Sequence, residues 1–160
     1  QFFVSSSFSK SFSLYGERVG ALTIVTAGKD ESARVLSQVK RVIRTNYSNP
    51  PTHGGAVVAA VLSSPELRRM WEDELAGMRD RIRAMRASLV EKLKTAGASN
   101  FDFINVQRGM FSYTGLTVAQ VEKMRAEYGI YAVGTGRICV AALNTRNIDY
   151  VATAIAAVLK

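Results

Sequence analysis

The sequence predicts an α/β unit that passes through one long helix into a small α+β unit. Three observations carry this prediction. Two apolar strand-like runs near the start flank a serine-rich loop and are followed by helix-period segments; a single apolar seam then extends from Trp71 to Leu89; beyond Phe101 the chain breaks into short alternating elements. The length of 160 residues, 48% hydrophobic and 21% charged, suffices for one ordinary domain or two small units and excludes a disordered or collagenous chain. A lone cysteine, Cys139, rules out an internal disulfide framework, and no apolar run is long enough for a membrane-spanning helix. A reducing cytoplasm fits this composition. Twenty-one Lys and Arg against thirteen Asp and Glu give a net charge of +8, which favours anionic partners without choosing among nucleic acid, phosphate and carboxylate.

The elements follow in order. Phe2, Phe3 and Val4 open the chain as an apolar strand with no initiator Met and no lead-in, and such a strand is expected to be covered by neighbours on both sides. The expectation is therefore a piece of a longer protein. Ser5, Ser6, Ser7 and Ser9 surround Lys10, and Val19–Val25 forms a second strand. Val35, Leu36, Val39, Val42 and Ile43 fall on one face of a helix over 30–44; a breaker at 46–55 separates it from a short buried helix over 55–62. Ser64 caps the next helix, with Pro65 at its first position and Glu66 at its positive end. Trp71, Leu75, Met78, Ile82, Met85 and Leu89 recur at alternating steps of four and three up to a stop at Gly97. A helix of that span is roughly 48 Å long, wider than a small domain, and is predicted to bridge two packed units.

From Phe101 the expected order is strand (103–106), strand (110–113), helix, strand (130–133), strand (138–142), helix. Thr117 and Gln120 make a capping box, Leu116 and Val121 a hydrophobic staple, Gly129 a helix stop, and Asn144 or Thr145 the start of a last helix carrying Ile148, Val151, Ile155 and Leu159.

The chemistry gathers around Lys10. A lysine between serines is ordinarily a solvated loop charge. Here the hydroxyls of Ser7 and Ser9 and the guanidinium of Arg18 supply donors for a phosphate, and an amine held beside cations loses proton affinity and gains nucleophilicity.

The segment Ser7-Phe8-Ser9-Lys10-Ser11-Phe12-Ser13-Leu14-Tyr15-Gly16-Glu17-Arg18-Val19-Gly20 resembles the pyridoxal-phosphate attachment segment of class I aminotransferases. The likeness continues through Asn46–Pro51, Arg108–Gly115 and Gly134–Arg137 and so covers essentially the whole chain. Within that family the chain is most similar to the bacterial aromatic amino acid (tyrosine) aminotransferases, with the aspartate aminotransferases next. The resemblance implies the C-terminal part of a fold-type-I pyridoxal-phosphate-dependent transferase: residues 1–64 ending the large cofactor-binding domain, 65–97 the linking helix, and 98–160 the small α+β domain.

It also implies roles. Lys10 would hold pyridoxal 5'-phosphate as a Schiff base and then carry the α-proton of the substrate. Ser7 and Arg18 would grip the cofactor phosphate, with Ser9 a weaker candidate. Arg137 matches the arginine for the substrate α-carboxylate, where a bidentate fork fixes which bond stands perpendicular to the cofactor ring. Arg44 matches the arginine that reaches into the partner subunit's site to pair with a dicarboxylate side chain, and Phe111 an aromatic near the site's mouth. The implied enzyme is a cytoplasmic homodimer with shared active sites. It moves amino groups from aromatic amino acids, and also aspartate, to 2-oxoglutarate. The acid facing the pyridine nitrogen and the ring-stacking aromatic belong to family segments ahead of this one, so these 160 residues alone are expected to bind cofactor weakly and not to turn over.

Other features carry plainer readings. His53 has no ligand cluster at metal spacing, and Cys139 reads as core. Met70, Met78 and Met85 read as helix packing, and Arg79, Arg83 and Arg86 as a solvated face beside Asp80 and Glu74. No nucleic-acid motif accompanies the positive charge. The competing readings are an aspartate aminotransferase, another fold-type-I enzyme using the same cofactor, and a non-enzymatic anion-binding domain.

Overall fold

A computed structural model describes residues 1–160, which divide into two compact units, Gln1–Leu75 and Ala76–Lys160. In the first unit, β1 (Phe2–Ser7) and β2 (Gly20–Val25) form an antiparallel ribbon in which Ser7 pairs with Gly20 and Phe2 with Val25. The ladder runs one step further, Phe8 N–H donating to the Val19 carbonyl at 3.1 Å, so the loop between the strands is closed at its base. Gly20 is needed there, because a Cβ would lie 2.6 Å from the Ser6 carbonyl oxygen. Within these residues Phe2, Phe3 and Leu22 are exposed, because the sheet they pair into has only two strands here. Helix α1 (Lys29–Asn46) presents Val35, Val39 and Ile43 as its half-buried stripe; Leu36 and Val42, expected on that face, are exposed. Helix α2 (His53–Ser63) begins at the close of the Pro-Pro breaker.

Helix α3 (Pro65–Thr95) starts as its sequence dictates, the Leu67 N–H donating to Ser64 Oγ at 3.3 Å. It ends with Gly97 at φ 90° and the Ala98 N–H returning to the Leu93 carbonyl, a left-handed exit that glycine tolerates. The seam is real only in part. Leu89 is fully buried and Ile82 and Met85 pack on the core, whereas Met70 and Met78, expected as packing, are exposed. Arg86 overturns the expectation of a solvated arginine face: it is 4% exposed, because the buried stripe drifts around the helix to take in Arg86, Leu89, Val90 and Leu93.

The second unit encloses one apolar core, built from Leu89, Leu93, Ile104, Val121, Met124 and Ile155 among others. The run at 103–106, expected as a strand, is a short 3-10 turn (Asp102–Val106), in which Ile104 alone points inward and Val106 is exposed. Strands β3 (Phe111–Tyr113) and β4 (Arg137–Cys139) pair antiparallel, Phe111 with Cys139 and Tyr113 with Arg137. The run at 130–133 is likewise no strand. Ile130 and Ala132 pack inward and Tyr131 outward, but the segment has no ladder partner and turns back at Gly134–Gly136. The expected strand 138–142 stops at Cys139 and closes as a 3-10 turn over Val140–Ala142.

Helix α4 (Val118–Tyr128) carries the capping box of Thr117 with Gln120 and leaves through Gly129 at φ 64°. Helix α5 (Ile148–Val158) begins after Asn147, later than the expected start at Asn144 or Thr145. Asn144 instead accepts the Arg146 and Asn147 N–H groups in the preceding turn. Ile148 and Ile155 are buried as expected, and Leu159 is exposed. No helix is long and apolar enough to cross a membrane.

Candidate active site

In the first unit the loop between β1 and β2 gathers four of the expected site residues. Ser7 ends β1, and its Oγ accepts the Ser9 N–H at 3.3 Å while Ser9 itself turns inward and is buried. The chain then coils tightly, Phe12 N–H donating to the Phe8 carbonyl and Ser13 N–H to the Lys10 carbonyl. An aromatic row fixes this coil. Phe12 stacks on Trp71 with centroids 4.6 Å apart and meets Phe8 edge-on at 5.4 Å, and the Trp71 indole N–H donates to the Ser11 carbonyl at 2.7 Å.

Two non-glycine residues of the loop, Ser13 (φ 55°) and Arg18 (φ 51°), lie in the left-handed region, a costly conformation that persists only where surroundings impose it. The result is a convergence on Tyr15. Lys10 Nζ stands 3.4 Å from the centre of the Tyr15 ring, and Arg18 Nη1 donates to the Tyr15 carbonyl at 3.1 Å. Neither cation is paired with a carboxylate: Glu17, the nearest acid in sequence, is held by His53 Nδ1 at 3.0 Å. An amine, an uncompensated guanidinium with donors to spare and the Ser7 hydroxyl form a donor set suited to a phosphorylated aldehyde.

Arg44 stands apart from this loop in its contacts. It occupies the last turn of α1, where its guanidinium donates to Ser48 Oγ, and Ser48 is itself left-handed at φ 68°.

The second unit holds Arg137 and Phe111 together. The Arg137 guanidinium carbon lies 4.8 Å from the Phe111 ring centre, the two side chains standing on paired strands. The turn leading into Arg137 is held by Thr114, whose Oγ1 donates to the Gly136 carbonyl at 2.8 Å. Gly136 has φ 79°, and a Cβ there would meet the Leu116 carbonyl at 2.7 Å. Arg137, like Lys10 and Arg18, has no carboxylate partner, leaving its fork available to an anion.

Sequence reasoning missed Arg86, which supports this strand pair. Its guanidinium donates to the Gly109 carbonyl at 2.6 Å, to the Ile104 carbonyl at 3.2 Å and to the buried Ser112 Oγ, the residue between Phe111 and Tyr113. Burial, and secondarily the Arg108 guanidinium, push its pKa below the ordinary arginine value. Tyr15 was also missed as a contact of Lys10. It lay in plain view within the motif, but periodicity says nothing about where a loop ring turns.

Comparison with known proteins places these features in a family. The chain is 70% identical over 159 residues to an aspartate aminotransferase of Pseudomonas aeruginosa, a match covering 99% of this chain and 40% of that protein. It is 53% identical over 157 residues to the aromatic-amino-acid aminotransferase of Escherichia coli, covering 98% of this chain and 40% of that one. Among solved structures, it superposes with a TM-score of 0.93 on an aromatic-amino-acid aminotransferase from Burkholderia pseudomallei covalently bound to pyridoxal phosphate. That match has 78% sequence identity and covers 99% of this chain and 40% of that one. The chain thus spans about 40% of the length of the relatives it matches. The family model for aminotransferase class I and II matches residues 1–155, and the chain belongs to that family.

Proposed function

We propose that this chain forms the lysine-bearing and carboxylate-binding part of a pyridoxal-phosphate-dependent aminotransferase that moves the amino group of aromatic L-amino acids, and also of aspartate, to 2-oxoglutarate. The observation that carries the reading is the loop on which Lys10 and Arg18 converge on Tyr15 while neither is neutralised by an acid. Bound pyridoxal phosphate supplies an aldehyde for an amine to join and a ring that takes up the electron pair left when the α-proton departs.

The chain's own residues supply position and proton transfer. Arg18 and Ser7 donate to the phosphate, and the buried Ser9 braces Ser7 through its N–H. Arg137 grips the substrate α-carboxylate through its fork and so orients the bond to be broken, with the Phe111 ring beside it. Lys10 Nζ, free of the cofactor once substrate is bound, would accept the α-proton and return it to the cofactor carbon. Arg44 serves the dicarboxylate side chain in the partner subunit's site of a homodimer; with an aromatic substrate it turns aside, because an unpaired guanidinium against a ring is costly. The working compartment is the cytoplasm, in keeping with the lone cysteine.

A second reading, an enzyme with aspartate as its principal donor, is favoured by the presence of Arg44 and by the name of the Pseudomonas relative. The test is made on the full-length protein. Lys10→Ala is expected to abolish turnover while mass spectrometry after borohydride finds no cofactor adduct. Wild-type kcat/KM for tyrosine above that for aspartate supports the first reading, and the reverse order the second. Retained turnover in Lys10→Ala would falsify both.

A further inference from the structure

Tyr15 is the one residue of the loop that both cations touch, and it does so with two different parts. Its backbone carbonyl takes Arg18, and its ring face takes the ammonium of Lys10 at 3.4 Å from the centroid, a separation at the short end for a cation over an aromatic ring. The ring is half exposed and takes no part in the packed core of these residues. It is aimed nonetheless. The Ser13 N–H bond to the Lys10 carbonyl sets the turn that reverses the chain between them, and the left-handed residues Ser13 and Arg18 bracket Tyr15 on either side. Two strained positions around one ring indicate that the ring's direction is imposed by the loop.

We propose that Tyr15 is a positioning residue for Lys10: its ring face is the resting place of the Lys10 ammonium in the part of the cycle when Nζ is not bonded to the cofactor. This rests on the reading of Lys10 given above. The Lys10 lone pair takes the α-proton of the substrate to make an ammonium, and the same N–H bond breaks when the proton is returned, so no other reactant is consumed. A long, four-carbon side chain carrying a new positive charge would otherwise be free to sample its many rotamers. The ring holds that charge near where it must be delivered, by a face that cannot itself accept the proton. Because Arg18 uses only the backbone carbonyl of Tyr15, the phosphate grip does not depend on the ring.

The test uses the full-length protein with Tyr15→Leu and Tyr15→Phe. In cofactor-free protein carrying ¹³C-labelled lysine, the terminal methylene of Lys10, assigned by its loss in Lys10→Ala, is expected to be displaced upfield by the ring current. Tyr15→Leu removes the displacement and Tyr15→Phe keeps it. In the loaded enzyme, Tyr15→Leu lowers kcat about fivefold with KM for the amino acid little changed, the size expected for one partly exposed cation–ring contact, and Tyr15→Phe restores most of the loss. The proposal is overturned if the methylene resonates at the same position in wild type and Tyr15→Leu, or if Tyr15→Phe is as slow as Tyr15→Leu. The resonance measurement involves no catalysis, so it stands or falls separately from the assignment of Lys10 as the proton carrier.

Discussion

The two units hold their candidate site cations by different means. In the second, Arg137 stands on a short strand backed by a closed core and by a buried arginine. Ile138, next to it in β4, packs against the core of Leu89, Leu93, Ile104, Met124 and Ile155, and the Arg86 guanidinium ties the turn before β3 to Ser112 in the strand. In the first, Lys10 and Arg18 hang on a loop at the end of a ribbon whose own side chains are largely exposed, and what fixes them is local: two left-handed residues, a row of three aromatic rings and the contacts to Tyr15. The difference teaches that a site can draw its precision from burial or from turn geometry. Damage should accordingly spread from the second unit and remain confined in the first.

Mutations that break or sharpen this contrast range downward in effect. Leu89→Ala in the full-length protein is expected to cost about 3 kcal/mol in chemical denaturation, because the site is fully enclosed and cannot collapse around the missing atoms. Arg86→Met should cost about 2 kcal/mol by leaving the Gly109 and Ile104 carbonyls without their donor, and should raise KM for amino acids as the Phe111 strand loosens. An unaltered KM would show that Arg86 supports the fold without supporting Arg137. Thr117→Ala removes half of the capping box and is expected to cost about 1 kcal/mol with no kinetic change. At the small end, the exposed ribbon predicts a loss within about 0.5 kcal/mol for Leu22→Ala, against the larger loss that covered strands of a longer protein would give. A loss comparable to that of Leu89→Ala would mean that the ribbon is covered in the full-length protein, and the contrast between the units would narrow.

What was legible in the sequence was whatever is decided within a few residues. Ser64 before Pro65, Thr117 with Gln120 and Gly129 each satisfy orphan backbone groups of their own helix, so their roles follow from spacing alone. The gathering of Ser7, Ser9, Lys10 and Arg18 was legible for the same reason, since one loop carries them all. The runs at 103–106 and 130–133 were not. Their apolar character is genuine, with Ile104 and Ile130 facing the core, but a strand needs a partner, and pairing is settled by the rest of the fold. Arg86 failed for a related reason. Its neighbours Arg79 and Arg83 are solvated, and only the carbonyls of a segment some twenty residues on make burial of a guanidinium tolerable.

The bond from Arg18 to the main-chain oxygen of Tyr15 has a consequence for how such a protein diversifies. A carbonyl is present whatever side chain position fifteen bears, so natural variation or a redesigner can reshape the surroundings of the amine without disturbing how the Arg18 guanidinium is held. Two properties that lie only eight residues apart can therefore be adjusted one at a time.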